Sequence, residues 1–399
     1  MKLLQINVTA NWGSHGRIAE GIAEGARERG WQTALAYGRH ANTSAQELYR
    51  IGGKAGIYTH VGLTRLFDLH GLGSVSATKR LISFIEDYRP DIIHLHNIHG
   101  YYLNYPLLFG FLRKWGAPVV WTLHDCWPFT GHCAYFDYAG CDRWQSGCHD
   151  CPEKHAYPAS LVADNSRLNY RLKKKYFSSI ADRLTLVPVS RWLASIARQS
   201  YLGSCRIATI HNGIDTEAFA PKADKPTSPR IVLGVANSWD ERKGLGEFIR
   251  LSRIMPDGYR IVLVGLPESQ IRKLPPGIEG RPRTQSVDEL ARLYSQATVL
   301  VNPTLEDNLP TINLEAKACG TPVVTYRTGG APETVDATSG IVVEKGDVDG
   351  LMRAIHTVAA SDTLYQPDQC RRHVLDNFSR PLSNSAYLNL YTSLLSTNR

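Results

Sequence analysis

Residues 302–325 read NPTLEDNLPTINLEAKACGTPVVT, and the order of those letters decides the fold. The apolar run Val299-Leu300-Val301 just ahead of them predicts a strand. A loop follows with the acidic pair Glu306 and Asp307, then Pro310. A helix is expected over about 311–319, stopped by Gly320, and Pro322-Val323-Val324 opens the next strand. Strand, loop, helix, strand is the repeating unit of a parallel α/β sheet. Asp307 and Glu315 lie eight residues apart, one in the loop over the helix N-terminus and the other about a turn inside. Free N–H groups at a helix start favour phosphate, and nearby carboxylates accept hydrogen bonds from hydroxyls. That pairing suits a nucleotide-sugar. The bland alternative is a capped surface helix with solvated acids.

These residues resemble the acid-x7-acid signature of retaining glycosyltransferases of family 4. The resemblance implies the GT-B fold, an α/β architecture of two Rossmann-like doubly wound domains facing a cleft. It also implies that Glu315 holds the donor ribose and Asp307 the hydroxyls of the transferred sugar. The amides of Asn308 and Leu309 would lie against that sugar, with Pro310 and Thr311 leading into the helix. The family's first acid is usually Glu; here the spacing falls on Asp307, with Glu306 one residue early, and either could face the donor.

A chain of 399 residues exceeds what one hydrophobic core normally supports, so two domains are expected. We place them at 1–220 and 230–378, joined by the Pro- and Lys-rich linker 221–229, PKADKPTSP. The tail 379–399 reads as amphipathic, and by the resemblance it crosses back to the first domain. Apolar content of 43% and charged content of 21% describe a globular chain, and no apolar run reaches the ~20 residues of a membrane span. The opening MKLLQINVTANWG reads as a first strand and not a signal peptide, so cytoplasmic residence is expected. The net charge is +8, and the window 161–210 alone carries nine Lys or Arg against two Asp. Arg167, Arg171, Lys173, Lys174 and Lys175 interleave there with Leu168, Leu172, Tyr176 and Phe177. Such a patch suits anionic lipid headgroups at the inner face of the plasma membrane; a solvated helix face is the equal alternative. No nucleic-acid motif accompanies the charge, so no nucleic-acid partner is expected.

Along the first half, a strand over 2–8 leads through Gly13 and Gly16 into a helix over 17–29, and a second strand follows at 31–37. This opens a doubly wound domain whose ligands sit at the carboxyl ends of the strands. The two glycines permit close backbone approach to donor phosphate or acceptor, and their spacing does not match a dinucleotide fingerprint. A strand over 118–123 ends at His124-Asp125. The resemblance carries to His124 the role of reaching the donor sugar, with His96 and His99 at a neighbouring strand end. His94 reads as a satisfied core residue.

After His124 comes an insertion, 126–152, that holds five of the eight cysteines. Cys133, Cys141, Cys148 and Cys151 end in a C-x2-C pair. Clustered thiols without a secretory leader argue for metal before disulfide, and four thiolates close a tetrahedral structural zinc site. His132 and His149 are substitute ligands; free thiols or a disulfide are the alternatives. The histidine- and tyrosine-bearing run 94–125 together with this cluster resembles colanic-acid and other exopolysaccharide members of the family.

The second half opens with a strand over 231–236 and a loop, Asn237 to Gly244, carrying Arg242 and Lys243. Cations in a strand-to-helix loop are placed to neutralise a diphosphate. The family supplies an Arg and a Lys from this loop: Lys243 matches, Asn237 stands where the Arg usually lies, and either Arg242 is the substitute or the site has one cation fewer. The expected activity is therefore a retaining hexosyl transfer from a nucleoside-diphosphate sugar to a glycan or lipid-linked acceptor. Cations and a helix end supply the positive charge, so no catalytic cofactor or metal is expected. Two rivals are a GT-B-fold nucleotide-sugar epimerase, and a zinc-stapled membrane or nucleic-acid tether with a dead sugar site.

Overall fold

In a computed structural model, which describes residues 1–397, thirteen strands form two wholly parallel sheets among the described residues. The first contains β1 (Lys2–Ala10), β2 (Gln32–Ala41), β3 (Glu47–Arg50), β4 (Ile92–Leu95), β5 (Val119–Leu123), β6 (Leu184–Pro188) and β7 (Arg206–Ile207). Its order is β3-β2-β1-β4-β5-β6-β7. The second contains β8 (Arg230–Val235), β9 (Tyr259–Val264), β10 (Ile278–Arg281), β11 (Val299–Asn302), β12 (Val323–Tyr326) and β13 (Gly340–Val343), in the order β10-β9-β8-β11-β12-β13. Parallel neighbours require crossover connections. Helices make most of them and cover the sheet, so β4, β5, β11 and β12 are buried along their whole length. Each strand order reverses once, between β1 and β4 and between β8 and β11. In doubly wound sheets that switch point is where a ligand crevice opens.

The chain divides into two units, Met1–His211 with the segment from Ser383 onward, and Asn212–Leu382. This moves the expected boundaries. Ile214 and Phe219 are buried in the second unit against Leu233, Val262 and Leu314, and Arg371 donates to the carbonyls of Thr216 and Phe219. Within the expected linker 221–229, the Lys225 ammonium donates to the Ala297 carbonyl at 2.8 Å and to Thr321 Oγ1 at 2.9 Å. The segment is therefore an anchored edge of the second unit. Its Pro-rich composition marks irregular backbone and says nothing of anchoring. Ser379 likewise stays with the second unit by bridging to Ile214.

The helix Arg380–Thr397 packs Tyr387, Leu388, Leu390 and Tyr391 into the first unit's core with Leu3, Ile22, Ile92 and Val120. Each buried leucine contributes about 1.5–3 kcal/mol. Two hydrogen bonds fix its register: Tyr387 Oη with Thr122 Oγ1 at 2.8 Å and Tyr391 Oη with His94 Nδ1 at 2.6 Å. His94 is thus the satisfied core histidine expected.

The helix expected over 17–29 begins a turn earlier and runs Gly13–Glu28. Gly16 is taken up by that helix's packing on β1: a Cβ there would lie 2.8 Å from Thr9 Oγ1. Gly13, with φ of +68° and nothing within 4 Å of such a Cβ, keeps an open face. The basic patch also changes. Lys173 turns inward on the helix Ser166–Phe177, its ammonium 3.6 Å above the Trp127 ring and 2.8 Å from the Trp127 carbonyl. Phe177 is buried beside it. Arg167, Arg171, Lys174 and Lys175 remain exposed.

Candidate functional site

In the second unit, the two loops flanking the switch point are tied to each other. After β8 a short 3-10 turn, Glu241–Lys243, is capped by Asp240, whose carboxylate accepts the Lys243 N–H at 2.9 Å. After β11 the loop 303–310 lies against it. The Leu305 N–H donates to the Arg242 carbonyl at 2.8 Å, and the Arg242 guanidinium donates to the Glu306 carbonyl at 3.3 Å. Gly244, at φ +79°, passes so close to Pro303 that a Cβ would sit 2.4 Å from its carbonyl oxygen. These ties set the Lys243 ammonium 2.5 Å from Asp307 Oδ2.

Of the two acids, Glu306 is buried, and Asp307 is the one that meets the lysine, with its side chain 16% exposed. A third loop holds Asp307 from behind. The Gly330 N–H donates to its carbonyl at 3.2 Å, and Gly329, at φ +52°, leaves so little room that a Cβ would come within 1.8 Å of the same oxygen. We expect Gly329→Ala to displace the Asp307 loop. Nucleotide affinity should then fall along with about 2–4 kcal/mol of stability, read by calorimetric titration and by urea unfolding.

The helix Thr311–Ala318 follows Pro310, which offers no side-chain cap to the first-turn N–H groups; the Asn313 N–H donates to the Pro310 carbonyl at 3.2 Å, and a helix start without a side-chain cap favours an anion. Asn308, Leu309 and Pro310 are buried and fix the loop's path. Beneath them Asn302 Nδ2 donates to Asn313 Oδ1, and Asn313 Nδ2 to Thr334 Oγ1, both at 2.9 Å. Glu315 is half-buried and accepts from the Tyr294 hydroxyl at 3.0 Å. Asn237 is exposed in the loop leaving β8. The structure thus gathers Arg242, Lys243, Glu306 and Asp307, and orients Glu315 from a separate element.

In the first unit, imidazoles collect where β1, β4 and β5 end. His124 follows β5 and is half-buried; its Nε2 lies 3.4 Å from His96 Nδ1. His96 is fixed in turn by Gln5 Oε1 at 2.9 Å. His15, on the first turn of Gly13–Glu28, pairs with the Asn7 side chain at 3.2 Å. Burial, and then neighbouring His96, hold His124 well below the usual histidine range, and burial pushes His15 down to about 4. Both rings are therefore neutral near pH 7, and each carries one donor and one acceptor nitrogen.

Two further features go beyond the sequence reading, which named His99 without its partners and did not single out Trp12. His99 Nε2 pairs with Asp125 Oδ2 at 2.8 Å, and His99 Nδ1 with the Tyr157 hydroxyl at 2.9 Å. Burial opposes charge on Asp125, but His99 and the Trp127 N–H outweigh it and hold the carboxyl below its usual range. Trp12, beside Gly13, is exposed, with its ring 5.1 Å from that of His40. An aromatic next to an open glycine was the available signal for Trp12; the His99 triad is split over three segments.

The cysteine-rich insertion brings Cys133, Cys141, Cys148 and Cys151 around one small cavity with His149. All four are free thiols. His132 turns away to Asp68, Nδ1 to Oδ1 at 2.5 Å.

Comparison with known proteins gives two family matches, a Glycosyltransferase Family 4 model over residues 15–218 and a Glycosyl transferases group 1 model over residues 229–361. A protein of Escherichia coli (strain K12) named as colanic acid biosynthesis glycosyl transferase WcaC is 26% identical over 87% of this chain and 88% of its own length. A GDP-mannose-dependent alpha-(1-6)-phosphatidylinositol monomannoside mannosyltransferase of Mycolicibacterium smegmatis is 31% identical over 50% of this chain and 59% of its own. Among solved structures, sucrose-phosphate synthase from Thermosynechococcus elongatus superposes with a TM-score of 0.74 at 19% identity, covering 99% of each chain. HepE of Anabaena, solved with UDP, gives 0.64 at 15% identity over 98% of this chain and 100% of its own.

Proposed function

The chain belongs to glycosyltransferase family 4 and has its two doubly wound domains; from that premise we propose a retaining hexosyl transfer from a nucleoside-diphosphate sugar to a glycan or lipid-linked acceptor, in the building of a polysaccharide. The observation that carries this reading is the Lys243–Asp307 pair, set between the ends of β8 and β11 and next to an uncapped helix start. Both partners keep some exposure, so their pairing stabilises by about 1 kcal/mol or less. A diphosphate can take over the lysine, and Asp307 then turns to a sugar hydroxyl. Arg242 and the first-turn amides of Thr311–Ala318 add to the positive field, and Glu315 is the candidate for the ribose. The UDP complexes of HepE and the polysaccharide role in the name of WcaC support the donor class and the setting.

As the bond from the sugar's C1 to the β-phosphate oxygen breaks, its electron pair stays on the diphosphate, where Lys243, Arg242 and the helix N–H groups stabilise the growing charge. The acceptor hydroxyl bonds to C1 from the same face, and its proton passes to the departing phosphate. We assign the acceptor to the first unit, where Trp12 presents a ring face to a sugar and neutral His124 and His15 offer hydrogen bonds.

Among the described residues no helix is long and apolar enough to cross a membrane. A lipid surface is nonetheless a fitting partner. Leu66, Phe67, Leu161 and Val162 are exposed on two segments joined by backbone hydrogen bonds from Leu161 to Arg65 and from Ala163 to Leu66. The exposed cations of the helix Ser166–Phe177 follow closely in the chain.

A donor screen tests the reading. The chain is incubated with UDP-, GDP- and ADP-sugars, with and without a lipid-linked glycan fraction, and the released nucleotide is measured. One donor class should release nucleotide in an acceptor-dependent way, and the new glycosidic bond should keep the donor's anomeric configuration by NMR. An isomerised sugar formed from donor alone would favour an epimerase, and binding of no nucleotide at all would favour the tether.

A further inference from the structure

The segment 130–165 runs 36 residues without a helix or strand. So long an irregular loop inside a compact unit needs something besides backbone hydrogen bonding to hold it. Its apolar contribution is small: Phe136 and Trp144 stack at 5.1 Å, with Phe129 against Trp144 at 5.7 Å. Beneath these rings the segment gathers its four cysteines. Cys133, Cys141, Cys148 and Cys151 line one cavity of about 10 Å³ together with Thr130, Phe136 and Trp144, a volume of roughly one water-sized sphere.

Their sulfurs already have the surroundings that metal thiolates use. The Cys133 thiol hydrogen-bonds to the Cys151 sulfur, and the Gly131 N–H points at Cys148 Sγ at 3.1 Å. Such outer hydrogen bonds orient ligands and spread their charge. Gly131 has no room for a side chain, since a Cβ would lie 2.6 Å from that of Cys148.

A separate observation comes from the charges around the cluster. Lys173 is 1% exposed and rests on Trp127; burial lowers its pKa to about 7, and Cys133, Cys148, Asp68 and Asp125 all act in the opposite sense. Among the described residues it forms no ion pair. A buried ammonium is costly unless opposite charge lies near it. Four thiolates around a divalent cation carry a net charge of about −2 and would add to that of the two carboxylates.

We propose that Cys133, Cys141, Cys148 and Cys151 bind one zinc ion that staples the insertion to the first unit. Among the described residues no three His, Cys, Asp or Glu side chains are already placed so as to hold a metal ion. Binding therefore includes closure of the four side chains to Zn–S distances of about 2.3 Å, each thiol losing its proton to solvent as its bond forms. All four positions are then filled by protein, which makes the centre structural and separate from sugar transfer. The staple would also hold Tyr157, from the same irregular segment 130–165, on His99.

The test uses the full chain purified under reducing conditions without a metal-affinity step. Elemental analysis should find about one zinc per chain. Its removal by a strong chelator should make four more thiols reactive to a colorimetric thiol reagent. Cys148→Ser and Cys151→Ser should each lower zinc content at least about tenfold, whereas His149→Ala should retain it. Zinc content below about a tenth per chain after incubation with zinc chloride would overturn the proposal, as would a disulfide within the cluster under those conditions. Both measurements are made on the unaltered chain, so they decide the matter even where a serine variant fails to fold.

Discussion

Lys243→Ala should lower kcat/KM by about 10²–10³-fold and abolish measurable binding of the nucleoside diphosphate, while shifting unfolding by no more than about 1 kcal/mol. The size follows from what the lysine leaves behind. Its ammonium is the partner of Asp307, at 2.5 Å; once it is gone, that carboxylate faces the incoming diphosphate with the same sign of charge. Two like charges about 4 Å apart repel by about 4 kcal/mol at the effective dielectric of a protein surface. The variant thus loses an attraction and gains a repulsion. A double-mutant cycle separates the two. Lys243→Ala with Asp307→Asn should recover part of the nucleotide affinity but little of the turnover, because the amide no longer repels phosphate and no cation has returned to the leaving group. Calorimetric titration of UDP and GDP against the single and double variants reads the first effect, and initial rates read the second. Nucleotide binding to Lys243→Ala within about twofold of the unaltered chain would remove the lysine from the site, since any direct phosphate contact exceeds that factor.

How much of this was legible in the sequence depends on how local each feature is. The strand-loop-helix-strand run around Asp307 could be read because its signals lie within a few residues of the backbone they control: β-branched residues for the strand, Pro310 at the helix entry, and Gly320 at its exit with φ of +80°. Lys243 could be placed by the turn before Gly244, but its contact with Asp307 spans 64 residues. That contact exists because β8 and β11 are neighbours while β9 and β10 lie on the other side of β8. No short motif encodes such an adjacency. Lys173 was misassigned to the surface because a run of three lysines does not reveal which turns inward; its place beside Asn169, Tyr170 and Phe177 on the buried face decides that. Lys317 follows the same logic, buried where it donates to the Thr334 carbonyl. The linker was misplaced because proline and lysine report on local backbone, whereas Phe219 and Lys225 act through partners 72 or more residues away.

Stability of the first unit should fall steeply as pH drops from 6.5 towards 4. Six of its histidines are held neutral, mainly by burial: His15 and His60 down to about 4, and His70, His94, His96 and His124 well below the usual range. In the unfolded chain all six regain ordinary histidine behaviour near 6.5. Between the two ranges the unfolded state binds more protons, so its free energy falls with pH relative to the folded state and stability is lost on acidification. Above 6.5 neither state takes up these protons, and the contribution is flat. Each proton of difference is worth about 1.4 kcal/mol per pH unit, so six together set an upper slope of about 8 kcal/mol per unit. Half of that slope would consume a typical domain stability of about 5–15 kcal/mol within roughly one to four units. The same imidazoles that line the strand ends of β1, β4 and β5 therefore make this unit acid-sensitive. Urea unfolding followed by tryptophan fluorescence at pH 7.5 and 5.5 reads the loss. Calorimetry in buffers of different ionisation enthalpy counts the protons taken up. His94→Gln should reduce that uptake by about one proton, whatever it does to absolute stability, because His94 is bonded on both ring nitrogens by Thr122 and Tyr391 and has no room for a charge. Equal stability at the two pH values, with no proton uptake on unfolding, would mean that these rings are charged in the folded protein, and the neutral hydrogen-bonding role given to His124 and His15 would fall with it.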